Sequence, residues 1–224
     1  MALGAAAPAR RGRHEGPPMR IADLPPQAFE CADRSPDALF YVSPRMVAHL
    51  DARATEAVRA LYAEHLAAGM RVLDLMSSRH SHLPDLALEV RGHGMNAAEL
   101  DANPALARRF VQDLNVDPAL PLYDDAFDAA LCCASVQYLR RPVAAFREVA
   151  RVLRPGGPFL VTFSNRCFPT KAIALWRAAS APERARYVTL ALAEAGFEDV
   201  AHRELVAEDG RGDPLWAVVG RAPR

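Results

Sequence analysis

The sequence predicts an α/β fold, with helices on both faces of a doubly wound, mostly parallel sheet. Two observations indicate it. Short apolar runs alternate along the chain with amphipathic helical segments, and the chain ends in two strand-like segments that flank an acidic, glycine-containing turn. A chain of 224 residues is long enough to bury one core but short for two. We therefore expect a single sheet as the centre of the molecule.

The first predicted strand lies in the stretch from Arg71 to Ser78. Its apolar residues follow Gly69, and a loop rich in Ser, His and Arg follows them. In an open parallel sheet, ligands bind beyond the carboxyl ends of the strands. The end of this strand is therefore the first place to expect a site.

Helix start and stop signals place the other elements. Asp51 is a predicted N-cap for a helix that runs to Gly69, Asn96 and Glu99 resemble a capping box, and Pro142 opens a helix that stops at 154–157. Ser180 and Glu183 form a second capping box for a helix that ends near residue 195. A short helix is also conceivable within 77–88. Further strands are expected near 89–95, 110–112, 127–133, 159–163, 200–205 and 215–219.

Composition narrows the class of partner. Lys plus Arg and Asp plus Glu both number 27, so the formal net charge is zero and nothing global draws the chain to nucleic acid or an anionic membrane. A small molecule is the expected partner. The four cysteines show no zinc or disulfide spacing, which favours a reducing, cytoplasmic compartment.

We divide the chain into three parts. Residues 1–20 are rich in Ala, Arg, Pro and Gly without an apolar core, so we expect a disordered tail and neither a signal peptide nor a membrane span. An organelle-targeting role for this tail is the alternative. Residues 21–69 form an N-terminal cap and a lead-in helix, and residues 70–224 form the α/β domain.

Three stretches together resemble the class I S-adenosylmethionine-dependent methyltransferases, in particular the small-molecule type 11 branch. They are Val72-Leu73-Asp74-Leu75, the strand Phe127 to Cys133, and Arg147 to Gly157 followed by Phe159 to Phe163. The resemblance spans roughly Met70 to Val219. It implies a three-layer sandwich with a seven-stranded sheet, the last strand antiparallel, and S-adenosylmethionine lying across the carboxyl ends of the first four strands.

The resemblance also assigns cofactor residues. The family's first strand leads into a Gly-x-Gly-x-Gly loop, but Met76, Ser78 and His80 hold those places here. One interpretation is that the hydroxyls and amides of Ser77 and Ser78 hold the amino acid end, with Met76 nearby and Asp74 orienting the loop. The other interpretation is that the loop closes the pocket.

The remaining cofactor residues follow later strands. The family's ribose-binding acid is replaced by Asn96, which offers one acceptor oxygen instead of two. Asp113 matches the position that accepts from the adenine amino group, with Leu114 beside the ring, and Ser135 follows the fourth strand.

The residues that would bind and activate the methyl acceptor are less clearly indicated. Where the family often has histidine after the fourth strand, this chain has Gln137 and Tyr138, and neither is a good base near neutrality. The catalytic base is therefore unassigned, with His49 and Tyr138 as candidates. The expected substrate residues are in the cap and after the fourth and fifth strands: Tyr41, Arg45, Gln137, Asn165 and Arg166.

The sequence predicts no metal site. His80 and His82, with Asp85 and His93 nearby, lack the spacing of a ligand set. Cys132 and Cys133 could bind a soft metalloid but fit better as small apolar strand residues.

These observations favour an enzyme that transfers a methyl group from S-adenosylmethionine to a small-molecule acceptor. The first alternative is a catalytically degenerate binding or regulatory module with the same fold, because the first loop has no glycines. A weaker alternative is a different nucleotide-like ligand.

Overall fold

The computed structural model describes residues 20–224. Its centre is a seven-stranded sheet with strand order β3-β2-β1-β4-β5-β7-β6. The strands are β1 (Arg71–Asp74), β2 (Glu89–Gly94), β3 (Arg108–Val111), β4 (Ala129–Cys133), β5 (Pro158–Phe163), β6 (Glu198–Val206) and β7 (Leu215–Arg221). Strands β1 to β5 pair in parallel, and β7 pairs antiparallel with both β5 and β6. The predicted α/β fold, with its antiparallel last strand, is confirmed. The tail expected at residues 1–20 lies outside the described residues except for Arg20.

Helices cover both faces of the sheet. They are α1 (Asp37–Phe40), α2 (Ala52–His65), α3 (Ala97–Asp101), α4 (Pro142–Val152), α5 (Ala174–Ala178) and α6 (Ala181–Glu194), and short 3₁₀ turns occur at Ile21–Asp23, Pro26–Phe29 and Val136–Tyr138. The side chains of α4 and α6 join one apolar cluster and those of α2 join the other. Neighbouring residues of a strand divide between the clusters, as Leu73 and Val72 do, because successive side chains point to opposite faces. The result is a three-layer sandwich.

The Asp51 and Ser180 caps form as predicted. At α3 only the Asn96 half of the expected capping box forms, because the Glu99 carboxylate accepts from Ser78 and Arg45 instead. Asp51 accepts a 2.8 Å hydrogen bond from the Ala54 N–H and starts α2, whose buried residues include Val58 and Leu61. This helix ends at His65 rather than Gly69, because Leu66 is already extended. At α6, the Ser180 N–H donates to Glu183 at 2.7 Å, as a capping box requires.

Three sequence predictions were inaccurate. Residues 77–88 form no helix. The third strand begins at Arg108 instead of Phe110, because pairing with β2 extends it toward its amino end. The short helix α5 was not predicted, since its five residues carry no side-chain cap.

No helix within residues 20–224 has the length and apolar character needed to cross a bilayer.

Candidate functional site

A cavity of about 320 Å³ lies beyond the carboxyl ends of β1 to β4. This size falls in the range of small-molecule sites. The residues before α2, here called the cap (residues 21–50), form its outer wall. Seven of the eight expected cofactor residues line the cavity: Asp74, Met76, Ser77 and Ser78 from the first loop, and Asp113, Leu114 and Ser135 from later strand ends.

The first loop leaves the cavity open. Met76 and His80 are part of its wall and do not fill it. Met76 has a left-handed backbone with φ 55°, as does Ala134 with φ 51° at the end of β4. Such conformations are strained for residues with a side chain, and they concentrate at functional sites. Both residues line the cavity, so the strained backbone after β1 and β4 lies at the candidate site.

A glycine on the neighbouring strand makes room for this loop. A Cβ placed on Gly94 would lie 2.5 Å from the Ser77 carbonyl oxygen. The backbones of β2 and the first loop therefore approach closely where only glycine fits. The Ser77 N–H also donates a 2.6 Å hydrogen bond to the carbonyl of His93.

Asp74 at the end of β1 is 3% exposed. The Ser77 hydroxyl donates to its carboxylate at 2.6 Å, so Asp74 does contact the loop it was expected to orient. Burial raises the pKa of Asp74 to about 6, although hydrogen bonds from Ser77 and Ser81 oppose the shift. The hydroxyl and the amide of Ser77 both form hydrogen bonds within the protein. Contrary to the sequence interpretation, neither is free to hold a ligand.

Ser78 connects the loop to α3. Its hydroxyl donates to Glu99 at 2.6 Å, and its carbonyl accepts from Asn103 at 2.9 Å. The other carboxylate oxygen of Glu99 accepts from the Arg45 N–H of the cap at 2.7 Å. Glu99 is buried and lines the cavity, so one carboxylate holds the first loop and the cap together.

Asn96 does not occupy the place expected for it. Its side-chain oxygen caps α3 by accepting from the Glu99 N–H at 3.1 Å, and its amide donates to the carbonyls of Tyr41 at 2.8 Å and Val42 at 3.2 Å. It does not line the cavity. The acidic side chain that does line the cavity near the end of β2 is Glu99, one turn further along. The sequence signal is the Asn-x-x-Glu spacing, which by itself predicts only a helix cap.

Asp113 and Leu114 follow β3 at the expected edge. Asp113 accepts a 2.8 Å hydrogen bond from the Asn115 N–H, which forms a tight local turn, and it also lines the cavity. Leu114 is buried and supplies an apolar surface beside it. Ser135 lies across the cavity with its hydroxyl 3.4 Å from the Cys132 sulfur.

Aromatic rings line the side of the cavity formed by the cap and by the segments after β4 and β5. Phe168 stacks on Tyr138 with ring centroids 5.9 Å apart and meets Tyr41 and His49 edge-on at 6.5 and 5.8 Å. All four residues line the cavity. Phe168 is central to this cluster but has no motif around it that would single it out in the sequence.

Three arginines line the cavity, and each is partly engaged. Arg140 donates to Asp37 at 3.1 Å. The Arg45 guanidinium lies over the rings of Phe40 at 4.3 Å and Phe168 at 5.0 Å and donates to the Phe40 carbonyl at 2.9 Å. Arg166 lies 3.7 Å from the Asp213 carboxylate.

The Asn and Gln expected to bind substrate do not reach the cavity. The Asn165 amide donates to Glu208 at 3.3 Å, because it follows β5 on the side facing the β6–β7 turn. Gln137 is 1% exposed and donates to the Ala134 carbonyl at 2.8 Å, since it lies in the 3₁₀ turn after β4. Neither lines the cavity.

The two candidate bases differ in their environment. Burial lowers the pKa of His49, so its imidazole is neutral at pH 7. Burial raises the pKa of Tyr138 to about 12, and its hydroxyl oxygen accepts from the Phe168 N–H at 2.8 Å. Burial likewise raises the pKa of Tyr41. His49 is the better proton acceptor.

The cysteines of β4 are protonated thiols. Burial raises the pKa of Cys132 to about 12 and that of Cys133 to about 11. Metalloid binding needs thiolates, so this environment opposes it. Within residues 20–224, no group of three or more His, Cys, Asp or Glu side chains is placed to hold a metal ion.

Known proteins resemble this chain in sequence and in fold. Residues 84–161 match the model of a family described as "Methyltransferase domain". A probable phthiotriol/phenolphthiotriol dimycocerosates methyltransferase 2 of Mycobacterium ulcerans (strain Agy99) is 38% identical over 124 residues, which are 50% of this chain and 42% of that protein. The match therefore spans less than half the length of that relative.

Solved structures share the fold at low identity. A putative methyltransferase in a complex with the Trm112 methyltransferase activator of Haloferax volcanii superposes with a TM-score of 0.60 at 18% identity, covering 77% of this chain and 91% of that one. The [4+2]-cyclase SpnF superposes with a TM-score of 0.57 at 20% identity, covering 74% of this chain and 80% of that one. These likenesses establish the architecture.

Proposed function

We propose, from the membership of this chain in the class I S-adenosylmethionine-dependent methyltransferases of type 11, that it transfers a methyl group from S-adenosylmethionine to a small-molecule acceptor. The observation that carries the proposal is the open cavity at the carboxyl ends of β1 to β4, which persists although the first loop has no glycine. The fold alone would not carry it, because a cyclase shares this architecture.

The residues at the sheet edge suit the cofactor. Asp74, Glu99 and Asp113 place acidic groups around the cavity, which favours a ligand with a sulfonium and an amino group. Leu114 offers an apolar surface for adenine, and Asp113 an acceptor for its amino group. The Ser78 N–H has no hydrogen-bond partner within residues 20–224 and is available to the amino acid end. When bound, S-adenosylmethionine supplies an electrophilic methyl group.

The cap completes the acceptor end. Tyr41, His49, Tyr138 and Phe168 form an apolar and aromatic wall, and Arg45 and Arg166 add positive charge at its edge. This enclosure positions an acceptor and excludes water, and positioning supplies much of the rate of a bimolecular transfer. We assign His49 as the base for acceptors that hold a proton, because its ring is neutral and makes no hydrogen bond within residues 20–224.

The remaining expectations are part of the proposal. A cytoplasmic location is supported by the four cysteines, all of which are free thiols. A small-molecule acceptor, rather than nucleic acid or a membrane, is supported by the balanced charge and by the size of the cavity.

Titration calorimetry with S-adenosylmethionine and S-adenosylhomocysteine tests the proposal. We expect binding by the wild type and about ten-fold weaker binding by Asp113→Ala, because one hydrogen bond to the ligand is lost. Asp117→Ala is the matched control. Asp117 accepts from the Ala119 N–H at 2.9 Å as Asp113 does from Asn115, but it does not line the cavity.

No binding at millimolar ligand would exclude the enzyme and favour the degenerate module. Equal losses in the two variants would show that Asp113 acts only in its turn. If the cofactor binds, S-adenosylmethionine with a radiolabelled methyl group, incubated with fractionated cell extracts, identifies the acceptor by mass spectrometry of the labelled product.

A further inference from the structure

The first loop contains a backbone conformation that its own sequence does not favour. Met76 adopts a left-handed conformation with φ 55°, which a glycine would reach without strain. A strained residue of this kind persists only where its surroundings hold it. The neighbouring strand β2 supplies that hold.

His93 on β2 contacts the loop twice. Its ring nitrogen Nδ1 accepts a hydrogen bond from the Met76 N–H at 3.0 Å, and its backbone carbonyl accepts from the Ser77 N–H at 2.6 Å. The amides of two successive loop residues are therefore both directed at one histidine.

The ring of His93 is fixed in one form. Its Nε2 lies 2.9 Å from the Gln112 carbonyl oxygen, which can only accept, so Nε2 carries the proton and Nδ1 is left as an acceptor. Phe110 packs against the ring with centroids 5.1 Å apart, and His93 is 1% exposed. The ring thus joins the ends of β1, β2 and β3.

The consequence is a defined set of free groups in the loop. With the amides of Met76 and Ser77 bound to His93, the next amide, that of Ser78, has no partner within the described residues, and Ser78 lines the cavity. We propose that His93 is the positioning residue of the cofactor loop: its Nδ1 holds the left-handed turn at Met76 and so presents the Ser78 amide to the ligand. This inference rests on the proposed function.

Two variants separate positioning from packing. The variant His93→Asn places an oxygen close to the position of Nδ1 and so keeps the acceptor for the Met76 N–H. The longer side chain of His93→Gln reaches toward the Gln112 carbonyl instead. We expect the dissociation constant for S-adenosylhomocysteine to stay within about three-fold of wild type in His93→Asn and to rise about ten-fold or more in His93→Gln. Urea unfolding measures the stability of each variant. The proposal is overturned if the loss of S-adenosylhomocysteine affinity in each variant simply follows its loss of unfolding free energy, whichever contact the variant keeps.

Nuclear magnetic resonance of the ligand-free wild type gives a second test that needs no variant to fold. In the ¹⁵N-labelled chain we expect a scalar coupling across the hydrogen bond between the Met76 amide nitrogen and Nδ1 of His93, with the ring proton on Nε2. A protonated Nδ1 or the absence of this coupling would refute the role of His93. If the wild type binds no S-adenosylhomocysteine, the proposed function fails, but the coupling still decides whether His93 holds the loop.

Discussion

The ammonium of Lys171 lies 3.0 Å from a carboxylate oxygen of Asp37, and their side chains are only 2% and 9% exposed. The second oxygen of Asp37 accepts from Arg140 at 3.1 Å and from Asn115 at 3.0 Å. Lys171 also donates to the Ser35 carbonyl at 2.7 Å. This buried pair attaches the cap to the segment after β5 and so holds the outer wall of the cavity in place.

Removing the lysine should destabilise the protein strongly. Lys171→Met leaves Asp37 with less compensation in a buried position, and breaking such a pair costs about 3 kcal/mol of unfolding free energy. Glu64→Gln is the control, because the Arg203–Glu64 pair is 51% and 48% exposed and should contribute less than about 1 kcal/mol. Urea unfolding of both variants measures the difference. A loss for Lys171→Met no larger than that of the control would contradict this account.

Gly94 and Gly92 should differ in their tolerance of alanine. A Cβ at Gly94 would meet the Ser77 carbonyl oxygen at 2.5 Å, and backbone cannot move without displacing the first loop. A Cβ at Gly92 would meet only the Leu106 side chain, whose end can rotate away. We expect Gly94→Ala to weaken S-adenosylhomocysteine binding at least about ten-fold and Gly92→Ala to leave it nearly unchanged. Calorimetry on both variants decides, and equal affinities would count against the close approach.

His49→Gln should slow the reaction without weakening cofactor binding. Loss of a general base lowers turnover by about 10² or more, and His65→Gln, at the end of α2 and away from the cavity, should have no such effect. Because burial lowers the pKa of His49, its base form persists at neutral pH, and kcat/KM should fall only as the pH drops below about 6.5, the ordinary histidine value. Initial rates with the identified acceptor provide the measurement. Unchanged turnover in His49→Gln would remove it as the base.

Asp74→Asn should stabilise the protein more at high pH than at low pH. The pKa of Asp74 is raised to about 6 by burial, so the native state binds a proton more tightly than the unfolded chain. The stability gained from this proton is complete below the unfolded value of about 3.9 and is lost as the pH rises through about 6. The variant carries no charge here, so its stability relative to wild type should be about 2 kcal/mol more favourable at pH 8 than at pH 4. Guanidinium unfolding at both values tests this, and a difference independent of pH would refute the raised pKa.

Patterns local in the sequence predicted most of the fold. The Asp51 and Ser180 caps and the Pro142 start each depend on residues within one helical turn, and each formed as expected. The alternation of Val72 and Leu73 between the two faces of the sheet also follows from strand geometry alone.

The site was harder to predict because it depends on contacts between distant parts of the chain. Asn96 was expected to face the cavity, but its amide is used by the carbonyls of the cap, 54 and 55 residues earlier. Glu99 reaches the cavity in its place because both the first loop and the cap donate to it. Phe168 contacts His49 and Tyr41 only after the sheet brings residues more than a hundred positions apart together. No local pattern reports such contacts.

The chain contains a single lysine, and it is the buried Lys171 beneath the cap. Amine-reactive reagents therefore have one side-chain target, and its contacts with Asp37 and Ser35 of the cap shield it from solvent. The rate at which such a reagent labels Lys171, followed by peptide mass spectrometry, therefore measures how often these contacts break, and it needs no engineered probe.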